Sequence, residues 1–266
     1  MHKNVLVLVP HPDDAEFYAG GLISKLAAEG ARITIAVATN GNKGTLEYSS
    51  EELVPMRKQE ATLAAREIGA EPPIFLGHPD FELDRLPAGV LREEFVRLIR
   101  TIRPDTLIAQ DAFASDEVHP DHRIVAWTAS DAVNYATLPL IYPQHRQEGL
   151  EPHFVLDKYF YSESNRGVNY FVDISNTFDH KIAALSQHHS QVTFMVADIR
   201  QQLKLAGTDL DTLLPEISHD PQAVMAWAMR QISSEIGKAC GLALAEAYRH
   251  ESFRLFPFII EDSQNS

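Results

Sequence analysis

The sequence predicts an α/β fold: a Rossmann-like, mostly parallel sheet flanked by helices, with a C-terminal elaboration. Three observations predict it. Short uninterrupted runs of β-branched residues and leucine at 5–9 (VLVLV) and 33–38 (ITIAVA), and the run at 106–110 (TLIAQ), have the character of strands buried on both faces. Longer amphipathic stretches separate them, each ended by a glycine or by an X-Pro step. The strand and helix signals alternate, the order that places parallel strands side by side with helices on both faces.

The elements follow in order. After the strand at 5–9, residues 15–29 read as a helix with Phe17, Leu22, Ile23 and Leu26 on its apolar side and Gly30 as its stop. Gly20-Gly21 falls inside this helix and suits close helix–sheet packing; no G-x-G-x-x-G phosphate loop is present here. Residues 33–38 form the second strand and 51–68 a charged amphipathic helix closed by Gly69. A short strand at 74–76 follows, then a helix at 90–102 with Val90, Phe95, Val96, Leu98 and Ile99 on one side, ended by Arg103-Pro104. The strand at 106–110 and a helix at 124–135 complete the alternation. Beyond Tyr135 the pattern changes. A proline-bearing segment at 138–152 leads to strands at 154–162 and 169–174, then to helices at about 176–190 and 222–248. With no internal repeat or linker, the chain reads as one domain over 1–266, with a motif-bearing core at about 4–136 and an elaboration at about 137–260. Residues 261–266 are polar and read as a loose tail.

Composition narrows the function. The 266 residues are 45% hydrophobic and 23% charged, and the formal net charge is −14. Such an acidic surface repels phosphate backbones and argues against nucleic acid as a partner. No apolar run is long enough to span a bilayer, so membrane insertion is not expected. The N-terminal apolar run lacks a signal-peptide cleavage site, and the single cysteine, Cys240, has no partner within the chain; both point to a cytoplasmic protein.

Two clusters carry chemistry. Pro10-His11-Pro12-Asp13-Asp14 lies directly after the first strand, and His119-Pro120-Asp121-His122-Arg123 lies between the 106–110 strand and the next helix. Both positions are at strand carboxyl ends, where open α/β sheets bind ligands. An N-terminal helix cap accounts for one aspartate but not for the histidine or the second carboxylate. Two clusters of imidazoles and carboxylates at matching topological positions read as one metal site. Gly77-His78-Pro79-Asp80 repeats the same letters; His78 reads as a loop residue, whereas Asp80 lies at the same rim and suits a hydroxyl-rich ligand. The doublet His188-His189, the aromatics at 159–161 and Cys240 read as structural. No G-x-S-x-G elbow supports a serine hydrolase.

In this order, His11-Pro12-Asp13-Asp14-Ala15-Glu16 with Gly20-Gly21, Thr39-Asn40-Gly41-Asn42-Lys43-Gly44, Met56-Arg57-Lys58-Gln59-Glu60-Ala61 and His119-Pro120-Asp121-His122-Arg123 resemble the motifs of the LmbE/PIG-L N-deacetylases. The likeness covers roughly residues 5–130, with a looser match at 182–191 and at Glu251-Ser252-Phe253. Members act on N-acetylglucosamine carried by phosphatidylinositol, inositol, malate or a second sugar, and Ala15 leans toward the bacterial and archaeal small-glycoside branch. The resemblance implies that His11, Asp14 and His122 bind Zn2+ and that Asp13 is the general base. It makes His119 the group that polarises the carbonyl oxygen or acts as acid, with Asp121 orienting a neighbouring histidine and Arg57 binding substrate. It also implies a homo-oligomer, with a hexamer as one form, to which an apolar helix around residues 239–247 could contribute unless that stretch is core.

The chemistry agrees with these roles. Three protein ligands leave an open coordination position, and zinc brings the pKa of bound water to about 7 in favourable sites. The expected function is thus zinc-dependent removal of the N-acetyl group from a small amino-sugar substrate. A metal hydrolase of another amide or an ester, and a non-catalytic sugar- or metal-binding module, are the alternatives. Asp13 and His119 argue against the last, because holding zinc requires neither.

Overall fold

The computed structural model describes residues 4–164 and 166–252; the tail expected at 261–266 lies outside them. Strands β1 (Asn4–Val9), β2 (Arg32–Thr39), β3 (Ile74–His78), β4 (Thr106–Gln110), β5 (Asp157–Tyr161), β6 (Tyr170–Asp173) and β7 (Ala245–Ser252) form one sheet in the order β3-β2-β1-β4-β5-β7-β6. The first five pair in parallel, and β7 runs antiparallel to both of its neighbours. The α/β class and mostly parallel sheet are those expected from the sequence.

Alternation along β1 shows how the sheet builds two cores. Val5, Val7 and Val9 face one layer and Leu6 and Leu8 the other, because successive side chains point to opposite faces of a strand. The valine face packs under α1 (Asp14–Ala28), α2 (Ser50–Glu67) and α6 (Phe178–Leu185) with Ile23, Leu26 and Phe178. The leucine face packs under α3 (Val90–Ile102) and α4 (Pro120–Ala136) with Phe95, Val96, Ile99 and Val125. Gly21 is required by this packing: a Cβ there would lie 2.5 Å from Ile174 Cγ2.

Between α4 and β5 the chain makes one short helical turn, α5 (Gln144–Gln147). The buried Arg100 of α3 pins this segment by donating to the carbonyls of Tyr135, Ala136, Leu138 and Ile141. After β6 come α6, α7 (His189–Leu205), α8 (Leu210–Leu213) and α9 (Pro221–Cys240), of which α7, α8 and α9 share a small cluster of Val196, Leu210 and Val224.

Three sequence expectations are corrected here. The helix expected at 222–248 stops at Cys240, because Gly241 adopts a left-handed conformation (φ 78°), and residues 245–252 become the strand β7. The stretch at 239–247 is therefore no helical oligomer interface; Ala245 is fully buried inside the sheet. The helix expected at 176–190 breaks after Leu185, and a second helix begins at His189. A distant carboxylate sets that start: Glu60 of α2 accepts from the backbone N–H and hydroxyl of Ser190. The helix expected from residue 124 begins at Pro120, a residue suited to the first helical position.

Candidate metal and catalytic site

The order β3-β2-β1-β4-β5 reverses direction between β1 and β4, and both clusters leave the carboxyl ends of those two strands. A crevice opens at such a point because the two chains depart to opposite faces of the sheet. On the β1 side, Thr39 at the end of β2 donates its N–H and its hydroxyl to Pro10 O, fixing the turn that carries His11. Asp13 occupies the N-cap position of α1, yet its side chain makes no cap hydrogen bond. Its Oδ1 instead accepts from Arg57 Nη2 at 2.8 Å, a buried ion pair. Arg57 Nη1 donates to Gly41 O, and a Cβ on Gly41 would lie 2.4 Å from that nitrogen. The glycine of the Thr39–Gly44 motif is thus explained by the arginine of the next motif.

On the β4 side, His119 is the N-cap of α4 and does cap it: Nδ1 accepts from Asp121 N–H at 3.2 Å. His122 follows in the first turn, buried. The two histidines and Asp14 converge. His11 Nδ1 lies 3.1 Å from His122 Nε2 and 3.2 Å from Asp14 Oδ2, and His122 Nε2 lies 3.5 Å from Asp14 Oδ1. Donors held 2.0–2.1 Å from a tetrahedral zinc ion stand about 3.3 Å apart, so this trio has the donor types and spacing the metal requires. His119 also comes close enough to form a ligand group with His11 and His122, as do Asp80 and Asp121 with His11.

Each of the two buried histidines is backed by carboxylates on its other nitrogen. His11 Nε2 lies 3.0 Å from Asp80 Oδ1 and 3.6 Å from Asp121 Oδ2, and His122 Nδ1 lies 3.1 Å from Glu117 Oε2. Such outer carboxylates fix the tautomer and ring orientation of metal-binding histidines. Asp121 is fully buried and also accepts from the backbone N–H groups of Phe81 and Leu83, tying the β3 loop to α4.

The electrostatics follow from this crowding. Burial alone would lower the pKa of His11, but the charge of Asp14 and the hydrogen bonds that the ring donates to Asp121, Asp14 and Asp80 raise it well above its ordinary value. Burial also opposes a charged His122, and Asp14 and Glu117 reverse that. Burial would raise Asp14, yet the charges of His122 and His11 bring it below the usual carboxylate range. The carboxylates thus create a field that favours positive charge at the convergence point. His119 moves the other way: burial, then the charges of His11 and His122, push it down to about 4.

Of the remaining expected residues, Arg57 is 2% exposed and directs its terminal nitrogens to Asp13 and Gly41. Asp80 is buried against His11 while lining the same cavity. His78 ends β3, 2.8 Å from Glu94, and is not among the cavity's lining residues. One group, Glu117, escaped the sequence reading, and so did one pairing, that of His188, a residue the sequence reads as structural, with Glu16. Glu117 sits two residues before His119 and accepts from its N–H; a carboxylate just upstream of the second cluster was the available signal. His188 is fully buried with Nε2 3.3 Å from Glu16 Oε2, in a pair that bridges α1 to the start of α7. No local pattern links residues 172 positions apart.

His11, Asp13, Asp14, Arg57, Asp80, His119 and His122 all line one cavity of about 850 Å³. Residues 6–133 match the family described as PIG-L: GlcNAc-PI de-N-acetylase. The diacetylchitobiose deacetylase of Thermococcus kodakarensis is 35% identical over 191 residues, covering 71% of this chain and 70% of that protein. A probable N-acetyl-alpha-D-glucosaminyl L-malate deacetylase 2 of Bacillus cereus is 28% identical over 213 residues, covering 77% of this chain and 90% of the relative. Among solved structures, the N,N'-diacetylchitobiose deacetylase of Pyrococcus horikoshii superposes with a TM-score of 0.77 at 26% identity, over 98% of this chain and 89% of that one. The chain belongs to the PIG-L/LmbE deacetylase family.

Proposed function

We propose that this protein is a zinc-dependent N-deacetylase that hydrolyses the acetamide of an N-acetylglucosamine-containing sugar or small glycoside. One observation carries the reading: two groups that metal binding does not require, Asp13 and His119, line the same cavity as the three-donor cluster. His11, Asp14 and His122 would hold the zinc, which when bound supplies Lewis acidity toward water and a carbonyl oxygen.

This chain's own groups supply the rest. Asp13, held through Oδ1 by Arg57, accepts a proton from the water that adds to the acetamide carbon. It returns that proton to the sugar nitrogen as the C–N bond breaks, leaving acetate and the amine. Because His119 Nδ1 accepts the Asp121 N–H, the neutral ring carries its hydrogen on Nε2. With a pKa near 4 the ring is neutral at neutral pH, so of its two expected roles this geometry favours polarising the carbonyl oxygen by Nε2–H donation. Asp80 and Arg57 line the wall along which sugar hydroxyls pass. A homo-oligomer remains part of the proposal, measurable by light scattering.

The test is a set of N-acetylglucosamine substrates (free sugar, diacetylchitobiose, methyl glycoside and malate conjugate) assayed for free amine and released acetate, with and without a zinc chelator. Equimolar amine and acetate that vanish on chelation and return with zinc are expected. Substrates left intact by the zinc-loaded protein would contradict the reading.

A further inference from the structure

The cavity does not end at the metal cluster. It is also lined from α7 and α9, which carry none of the metal-cluster residues: Phe194, Met195, Met229, Ile232 and Ile236 form this far end, and Phe17 of α1 lies one helical turn beyond Asp14. Among the described residues only Met229 of these packs against a core cluster. Their apolar surface is turned to the cavity instead, and none of the six is buried. Gln231, Ser233 and Glu235 line the cavity from the same helix α9, but an apolar stretch with two adaptable methionines suits a group other than the pyranose itself.

Charge selects further. The lysines and arginine that line the cavity are each already paired: Lys43 with Glu82 at 2.7 Å, Arg57 with Asp13 at 2.8 Å, and Lys181 with Glu246 at 2.6 Å. Lys181 also donates to Phe17 O. Glu163, Glu235 and Glu246 line the same cavity. Glu246 is paired with Lys181 and Glu235 with Lys238, so among the described lining residues a carboxylate or phosphate on the substrate would find no uncommitted lysine or arginine, at the cost that burying an unpaired charge carries.

We infer that the far end of this cavity receives an uncharged apolar group, alkyl or aryl, carried by the same amino-sugar substrate. This rests on the deacetylase reading and narrows its substrate class: the favoured substrate is an amphiphilic glycoside rather than an anionic conjugate. The apolar group enters from one of two places on the sugar, the glycosidic oxygen or the amide acyl chain, and the cavity's continuity with the metal cluster serves both.

The experiment uses zinc-loaded protein and two matched pairs: methyl against octyl β-glycosides of N-acetylglucosamine, and methyl β-glycosides bearing N-acetyl against N-octanoyl. A carboxylate-terminated chain of octyl length is the charge control. Binding of each compound is measured by calorimetry alongside kcat/KM for amine release. The octyl group is expected to raise kcat/KM and affinity by about tenfold or more in one position, since burial of two or three methylenes already suffices. The carboxylate-terminated chain should lose that gain. Ile232→Glu, at a residue 51% exposed, should bring the octyl-to-methyl ratio toward one, and Phe194→Ser on a different helix should lower it independently. An octyl group that improves neither binding nor turnover in either position overturns the inference. If the methyl glycoside is deacetylated and octyl gives no gain, the inference alone fails; if octyl binds tighter and no compound releases amine, the deacetylase reading alone fails.

Discussion

The two helices that open onto the site begin on ionisable residues, and they use them in opposite ways. His119 caps α4 through Nδ1, whereas Asp13 sits at the cap of α1 and leaves it uncapped in favour of Arg57. A cap of this kind contributes typically about 1 kcal/mol, so α1 forgoes local stability that aspartate is well suited to provide. At α4 the cap bond sets the ring's chemistry, because accepting a backbone N–H at Nδ1 leaves Nε2 as the donor of the neutral ring. One cap residue is withheld from capping and the other has its tautomer selected by the cap bond, which suits them to the separate roles proposed for them, base and hydrogen-bond donor.

That contrast matters only if the metal trio is distinct from both cap residues. The largest expected effect is therefore at His122. His122→Ala should remove bound zinc and with it activity, because a three-donor site keeps little affinity after losing one donor; full zinc occupancy in that variant would place the metal elsewhere. His119→Ala should keep the metal and lower turnover by about 10²–10³, the range for losing one donor to a developing oxyanion. It should also lower stability by about 0.5–2 kcal/mol through the lost cap, seen in chemical denaturation. Unchanged turnover would return His119 to a purely capping role.

A smaller effect is expected one shell out. Glu117→Gln keeps size and an acceptor but weakens the orientation of His122, and should cost about 10–100-fold in zinc affinity or activity, read by competition with a fluorescent chelator. Zinc affinity equal to the parent's would show that Glu117 serves only Gln110 and the backbone.

The smallest effect is a pH signature. In metal-free protein the folded-state pKa values of His11 and His122 are raised. Their protonation therefore contributes stability fully below the unfolded value of about 6.5, and that stability is lost as pH rises through the folded values. Zinc binding displaces those protons and strengthens over the same range. The gap between zinc-loaded and metal-free melting temperatures should widen as pH rises above about 6.5, by about 2–4 °C for each kcal/mol. A gap independent of pH would mean that these histidines do not carry the metal.

What the sequence shows of this molecule depends on range. The β1 and β4 strands are continuous apolar runs, and His11–Asp14 and His119–His122 are consecutive residues, so the chain displays them locally. Glu117 stood within reach of the same reading, but its partner His122 is identified only once the loop after β4 folds back. Glu16 with His188, and Lys181 with Glu246, are pairs whose members lie far apart and meet only through tertiary packing. The misreading after Gly241 has a physical source too. The alanine-rich run at 239–247 is compatible with a helix, and only the left-handed Gly241 and the pairing of β7 with β5 and β6 decide for a strand. The helix start at His189 was hidden because its capping carboxylate, Glu60, comes from α2.

Asp13, the cap residue that does not cap, is where the proposed mechanism meets its most direct test. Asn at that position keeps the side chain's size and one acceptor oxygen for Arg57 but removes the proposed base. Zinc stoichiometry and steady-state deacetylation measured on one preparation of Asp13→Asn should give a metal content near the parent's and turnover lower by about 10²–10⁴. Turnover equal to the parent's would show that Asp13 is not the base, and loss of zinc together with activity would show that it is a ligand.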